Sequence, residues 1–155
     1  MKTDYPIIDL HTHILPGLDD GADNLETALQ MAQIAAQDGI TLMAATPHVM
    51  RGVYDNSKEK IIQMSRELNR QLADAGINLT LLPGAEYYLE GDLPRKLAAG
   101  ELLTINEAGR YLLVELPAGM VPDYTGRVLY EIQLQGITPI LAHPERNSGF
   151  ARDPQ

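Results

Sequence analysis

The stretch Gly39-Ile40-Thr41-Leu42-Met43-Ala44-Ala45-Thr46-Pro47-His48 contains the unit from which the fold follows. A glycine interrupts the pattern before it, an apolar run with β-branched residues reads as a strand, and a histidine sits just past the strand. Glycine takes the left-handed conformation that ends a helix without strain, and a β-branched residue then enters a sheet. Upstream, Leu25, Ala28, Leu29, Ala32 and Ala35 recur at helical spacing. Asp23 or Asn24 can cap that helix, and Asp23-Asn24-Leu25-Glu26 has the look of a capping box. The same link from helix to strand returns at Gly76-Ile77-Asn78 and Gly136-Ile137-Thr138.

Working outward gives five such strands. Ile7-Ile8-Asp9-Leu10 reads as a buried strand leading into His11. Asn56 and Glu59 open a second helix with Ile61, Ile62, Leu68 and Leu72 on one side, closed by Gly76. Residues 79–82 form the third strand, 92–99 a short helix, 111–114 the fourth strand, 126–135 a helix and 139–142 the fifth strand. Strands alternating with helices predict an α/β fold with a parallel sheet and outer helices. An open doubly wound sheet and a barrel both satisfy the pattern. No linker or charge block divides the chain, so residues 1–155 read as a single domain.

The bulk numbers exclude several functions. A net charge of −9 argues against nucleic-acid binding, which calls for a basic face. With no cysteine, disulfides, thiolate zinc sites and a cysteine nucleophile are all excluded. No apolar stretch is long enough to span a bilayer, and Met1 to Pro6 lacks the apolar region of a signal peptide. A cytoplasmic protein is the expectation.

Ligand-type residues follow every strand. After the first come His11, His13, Asp19 and Asp20; after the second, His48; after the third, Glu86. Glu115 ends the fourth, and His143, Glu145 and Arg146 follow the fifth. Ligands of parallel α/β folds gather at the carboxyl ends of strands, and all four histidines lie there. Residues two apart on a strand share a face, so His11 and His13 can reach one ion or two adjacent ions. An isolated His-x-His more often bonds to backbone, but the other strand ends reverse those odds. Asp20 alone would read as a turn residue. Glu115, between Val114 and Leu116, is costly to bury without a cation or partner. Nitrogen and oxygen donors without thiolate suit manganese, iron or zinc. Arg146 can bind phosphate oxygens or pair with Glu145; Arg51 and Arg110 are weaker candidates of the same kind. Tyr87 and Tyr88 line the mouth of the site or pack in the core, with core packing favoured for at least one.

Asp9-Leu10-His11-Thr12-His13 with Asp19-Asp20-Gly21 resembles the opening motif of the polymerase and histidinol phosphatase (PHP) superfamily. Thr46-Pro47-His48, Gly84-Ala85-Glu86-Tyr87-Tyr88, Val114-Glu115 and Ala142-His143-Pro144-Glu145-Arg146 follow in the order of its bacterial capsule-type tyrosine-protein phosphatases. The resemblance implies a distorted (β/α)7 barrel and up to three manganese ions, with iron or zinc as alternatives. It implies His11, His13, Asp20, His48, Glu86, Glu115 and His143 as ligands, and Arg146 and Asp20 as catalytic residues. The implied reaction is hydrolysis of phosphotyrosine by a metal-activated water. Its implied substrate is the autokinase that controls capsule or exopolysaccharide synthesis. Members continue to an Asp-x-His motif that this sequence lacks, so about five βα units of a C-terminally truncated domain are expected here. The alternatives are a histidinol-phosphate phosphatase and a catalytically silent chain that binds a kinase. A homo-oligomer stays open.

Overall fold

In a computed structural model, which describes residues 6–152, seven strands and five helices alternate along the chain. Met1 to Tyr5, part of the segment read above for a signal peptide, lie outside the described residues. The strands are β1 (Ile7–Thr12), β2 (Ile40–Ala45), β3 (His48–Val49), β4 (Thr80–Pro83), β5 (Glu86–Tyr88), β6 (Tyr111–Glu115) and β7 (Thr138–Leu141). The helices are α1 (Leu25–Gln37), α2 (Lys58–Asp74), α3 (Leu93–Ala98), α4 (Thr125–Leu134) and α5 (Ser148–Arg152).

The seven strands occupy the five expected positions, because two strands are each broken in the middle. The order β1-β2-β4 makes one sheet and β3-β5-β6-β7 the other, and every pair of strands is parallel. Thr46-Pro47 separates β2 from β3, and Gly84-Ala85 separates β4 from β5. Hydrogen bonds bridge the breaks: Gly84 N–H donates to Ala45 O at 2.9 Å and Glu86 N–H to Pro47 O at 3.0 Å. The strand positions therefore run in sequence order with no reversal. That order decides for a barrel-type arc against a doubly wound sheet. The segment Ile105–Glu107 touches both β4 and β6, which do not pair.

Helices cover the outer face. Ala28, Ala32 and Ala35 of α1 are buried, as are Ile61, Ser65, Leu68 and Leu72 of α2 and Val128 and Ile132 of α4. These repeats of three and four residues place one stripe of each helix on the strands. Gly39, Gly76 and Gly136 take φ of +94°, +68° and +79°, as the helix-stop reading requires. Asn24 caps α1 by accepting from Thr27 N–H at 3.0 Å; Thr27, not Glu26, holds the third helical position, so the reciprocal capping box does not form. Ser57 caps α2, and Asn56, expected to open that helix, is buried elsewhere. Asn69 both donates to and accepts from the backbone of Leu81, at 2.9 and 2.8 Å, which covers the edge of β4.

The expectation of a buried first strand is also overturned. Ile7, Ile8 and Leu10 of β1 are 42%, 49% and 47% exposed. Among the described residues β1 has a single strand neighbour, β2, so it is an edge strand and its apolar side chains lack neighbours on that side. No helix among the described residues is long and apolar enough to cross a membrane.

Candidate metal centre

The breaks and strand ends set the site. His11 lies in β1, His48 opens β3, Glu86 opens β5, Glu115 closes β6 and His143 follows β7 by two residues. His13 follows β1, and Asp20 sits on the loop before α1. His143 holds φ of 27° and ψ of 56°, a left-handed conformation that strains a residue with a Cβ.

These side chains converge. His143 Nε2 is 3.0 Å from Glu86 Oε1, and His11 Nε2 is 3.5 Å from the same oxygen. His13 Nε2 and His48 Nδ1 stand 3.2 and 3.1 Å from Glu86 Oε2. His48 Nδ1 is 3.5 Å from Glu115 Oε2, and Asp20 Oδ1 is 3.7 Å from both His13 Nδ1 and His48 Nε2. The rings form a chain, with centroids 4.6 Å apart for His13 and His48, 5.0 Å for His11 and His13, and 5.6 Å for His11 and His143. Three groups of donors lie close enough to hold a cation each: His11, Glu86 and His143; His13, Asp20 and His48; His48, Glu86 and Glu115. Glu86 and His48 are shared between groups.

Electrostatics favour cations here. Glu86 is fully buried. Its Oε2 and that of Glu115 are buried with no hydrogen-bond partner among the described residues. A carboxylate oxygen so placed is costly unless a cation meets it. Burial and the charge of Glu86 push Glu115 above the usual carboxylate range. Burial also raises Glu86, but the close approach of His13 and the charges of His11, His48 and His13 bring it below its ordinary value. Burial lowers His11, aided by the neighbouring imidazoles. Burial also acts to lower His13, yet the hydrogen bond to Asp19 and the charges of Asp19 and Glu86 raise it to about 10. This mixed nitrogen and oxygen donor set, with orphaned carboxylate oxygens at its centre, fits divalent metal ions.

The arginines separate. Arg146, on the short turn Pro144–Arg146, lines a cavity of about 240 Å³ with Glu115 and His143, and no salt bridge joins it to Glu145. Arg51 lies along another cavity of about 480 Å³ with Val49, Tyr88 and Lys96. Arg110 precedes β6, at the strand end opposite Glu115, with its guanidinium over the Tyr111 ring; this placement removes it from the phosphate candidates. Tyr87 is a core residue whose hydroxyl accepts from Leu103 N–H at 2.7 Å. Tyr88 is half-buried at the rim, where the Glu115 charge reaches it.

Sequence reasoning missed the residues that hold the candidate ligands. Thr46 Oγ1 is 2.8 Å from His11 Nδ1, and Asp19 Oδ2 is 2.7 Å from His13 Nδ1. Asn56 donates to Leu18 O and His48 O, joining the Asp20 loop to β3. Tyr54 stacks on the His48 ring with centroids 5.4 Å apart. The available signal was general: a ligating imidazole needs a partner for its other nitrogen.

A parallel β/α arc that gathers four imidazoles and three carboxylates at its strand ends and adjoining loops is that of an α/β protein with a candidate multi-cation centre. The chain belongs to the CpsB/CapC family of capsular polysaccharide synthesis, whose model matches residues 7–155. It is 39% identical over 148 residues to the tyrosine-protein phosphatase YwqE of Bacillus subtilis (strain 168), covering 96% of this chain and 58% of that protein. It is 34% identical to the putative tyrosine-protein phosphatase CapC of Staphylococcus aureus, over 95% of this chain and 57% of that one. For tyrosine-protein phosphatase CpsB of Streptococcus pneumoniae the identity is 32%, over 90% and 57%. A crystal structure from work on YwqE and CpsB, described as unique metal-dependent tyrosine phosphatases, superposes with a TM-score of 0.91 at 39% identity. That match covers 96% of this chain and 60% of the other, and it carries the PHP-type architecture that the motifs implied. The chain thus spans somewhat over half the length of these relatives.

Proposed function

We propose that this chain provides the metal-binding face of a protein-tyrosine phosphatase that hydrolyses phosphotyrosine with a metal-activated water. One observation carries the reading: the partnerless oxygens of Glu86 and Glu115 sit among four histidines at the strand ends. His11, His13, Asp20, His48, Glu86, Glu115 and His143 would hold the ions, with Mn²⁺ as the proposed metal. When bound, such ions supply Lewis-acid stabilisation of phosphate oxygens and acidify a water for attack on phosphorus. Arg146, which lines a cavity with Glu115 and His143, would bind the phosphate oxygens and offset charge on the leaving phenolate. Asp20, with its side chain 64% exposed beside His13 and His48, would hold an ion through Oδ1 and leave its other carboxylate oxygen to take a proton from the attacking water. The substrate we infer is a tyrosine autokinase of capsule or exopolysaccharide synthesis; the family description supports the capsule setting and the relatives' names the phosphotyrosine chemistry.

The test is hydrolysis of a phosphotyrosine peptide and of histidinol phosphate, side by side, after chelation and after return of Mn²⁺. Peptide hydrolysis that disappears with chelator and returns with Mn²⁺ is expected. Preference for histidinol phosphate, or full turnover after exhaustive metal removal, overturns the reading. Because the chain spans only part of its relatives, metal stoichiometry is measured on the same samples. Stoichiometric metal without turnover supports the alternative of a silent kinase-binding chain.

A further inference from the structure

We infer that Asp19 is the positioning residue of the metal centre: it fixes the tautomer of His13 and ties that ring to the start of β3. This rests on the metal-centre reading above and goes beyond it, since the family motif pointed to Asp20. The adjacent aspartates have opposite environments. The Asp20 side chain is 64% exposed and that of Asp19 only 1%. Asp19 Oδ2 accepts from His13 Nδ1–H at 2.7 Å and from His48 N–H at 2.8 Å. Its Oδ1 accepts from Gly21 N–H at 3.0 Å. One buried carboxylate thus joins two candidate ligands from different strands and closes its own turn.

The chemical consequence lies at the other ring nitrogen. With the proton held on Nδ1, the lone pair of His13 falls on Nε2, which faces Glu86 Oε2 at 3.2 Å. A ligating histidine whose remote N–H meets a carboxylate is oriented and made a stronger donor. The backbone holds Asp19 in place independently of any ion. Ala22 N–H donates to His13 O at 3.0 Å, and a Cβ at Gly21 would collide with the carbonyl of His13. His11 has only the neutral Thr46 hydroxyl in the equivalent position.

Asp19→Asn conserves shape but not the acceptor pattern. Its carboxamide can accept from Gly21 N–H or from His13 Nδ1–H, and the NH₂ then confronts the other donor. The test uses the whole chain loaded with Zn²⁺, a diamagnetic probe. Nitrogen-15 NMR should show His13 bound through Nε2, with an exchange-protected Nδ1–H. Calorimetric titration of D19N with Zn²⁺ and Mn²⁺ should show affinity about 10- to 100-fold lower, the usual effect of losing such a partner. D20N should weaken binding while His13 keeps its Nδ1–H. Metal bound through Nδ1 of His13, or D19N affinity within twofold of wild type, overturns the role of Asp19. A wild-type chain that takes up no metal overturns the centre itself, which separates the two failures. Should D19N fail to fold, the wild-type spectrum decides alone.

Discussion

His11 and His13 show how far two residues of one motif can diverge. Burial and neighbouring imidazoles keep His11 neutral near pH 7, while Asp19 and Glu86 hold His13 protonated to about pH 10 in the metal-free chain. Metal uptake through His13 Nε2 would therefore displace a proton from it. The first prediction is that loading near pH 7 releases about one proton from this residue, read by calorimetry in buffers of different ionisation enthalpy. No buffer dependence would sink it. The stability of the metal-free chain follows with a defined sign. Because the folded value of His13 is raised, its contribution is complete below the ordinary value near 6.5 and disappears as pH rises towards about 10. Asp19 and Glu86 are lowered, so their contribution is present above the ordinary carboxylate range and is lost on acidification. The denaturant midpoint of the metal-free chain should fall from pH 6.5 to pH 10, and Asp19→Asn should flatten that fall. Glu86→Gln belongs to the same scale. It removes the carboxylate shared by two of the three donor groups, and should weaken Mn²⁺ binding by more than the ~100-fold typical of an outer partner. The ligand types at strand ends were legible because burial makes a lone carboxylate expensive. The division of labour between Asp19 and Asp20 was not, since adjacent identical residues offer no pattern to tell which one the loop buries.

At the level of elements, the glycine-terminated helices and the strands after them were readable from periodicity and turn chemistry. The jogs were not. The sequence placed His48 and Glu86 just past their strands, and only the ladder partners show that each opens a new strand, with pairing passing from one sheet to the other. These jogs matter because they aim His48 and Glu86 inward at the start of new strands. Asn56 was misread for a related reason: a polar residue before a helix resembles a cap, while its real partners, Leu18 O and His48 O, are distant in sequence. Asn69 is another long-range device. It supplies both bonds that a neighbouring strand would give to Leu81, a residue only 2% exposed. Asn69→Ala leaves that buried N–H and C=O unpaired, and should cost about 1–3 kcal/mol in urea unfolding. A change below a few tenths of a kcal/mol would show that water satisfies the edge. Gly21→Ala acts on the loop instead, forcing it from His13 at about 1–3 kcal/mol; a variant with unchanged stability and metal affinity would refute that close approach.

Across the whole molecule, the donors of the candidate centre come from β1 and the loop beyond it, β3, β5, β6 and the turn after β7. Each broken strand contributes at its jog, so cations there would bind both sheets at once. Without them, four imidazoles and three carboxylates are held together by hydrogen bonds of mixed quality, with two oxygens left over. The arc is also open at β1, where Ile7, Ile8 and Leu10 remain exposed, so apolar burial gives that strand little extra hold. Metal binding would then add to the cohesion that the ladder with β2 already gives β1. A ligand that binds only the folded state at a hundred times its dissociation constant adds about 2.7 kcal/mol. For a chain of 155 residues, each kcal/mol shifts the melting temperature by about 2–4 °C. Saturating Mn²⁺ should therefore raise Tm by about 5–11 °C over the chelated chain, with amide protons of β1 gaining protection along with those of β6 and β7. Protection confined to one sheet would show that the ions do not bridge the jogs. Equal Tm with and without Mn²⁺ would show that the folded chain holds no ion at these concentrations, and the strand-end cluster would then need another explanation for its buried charge.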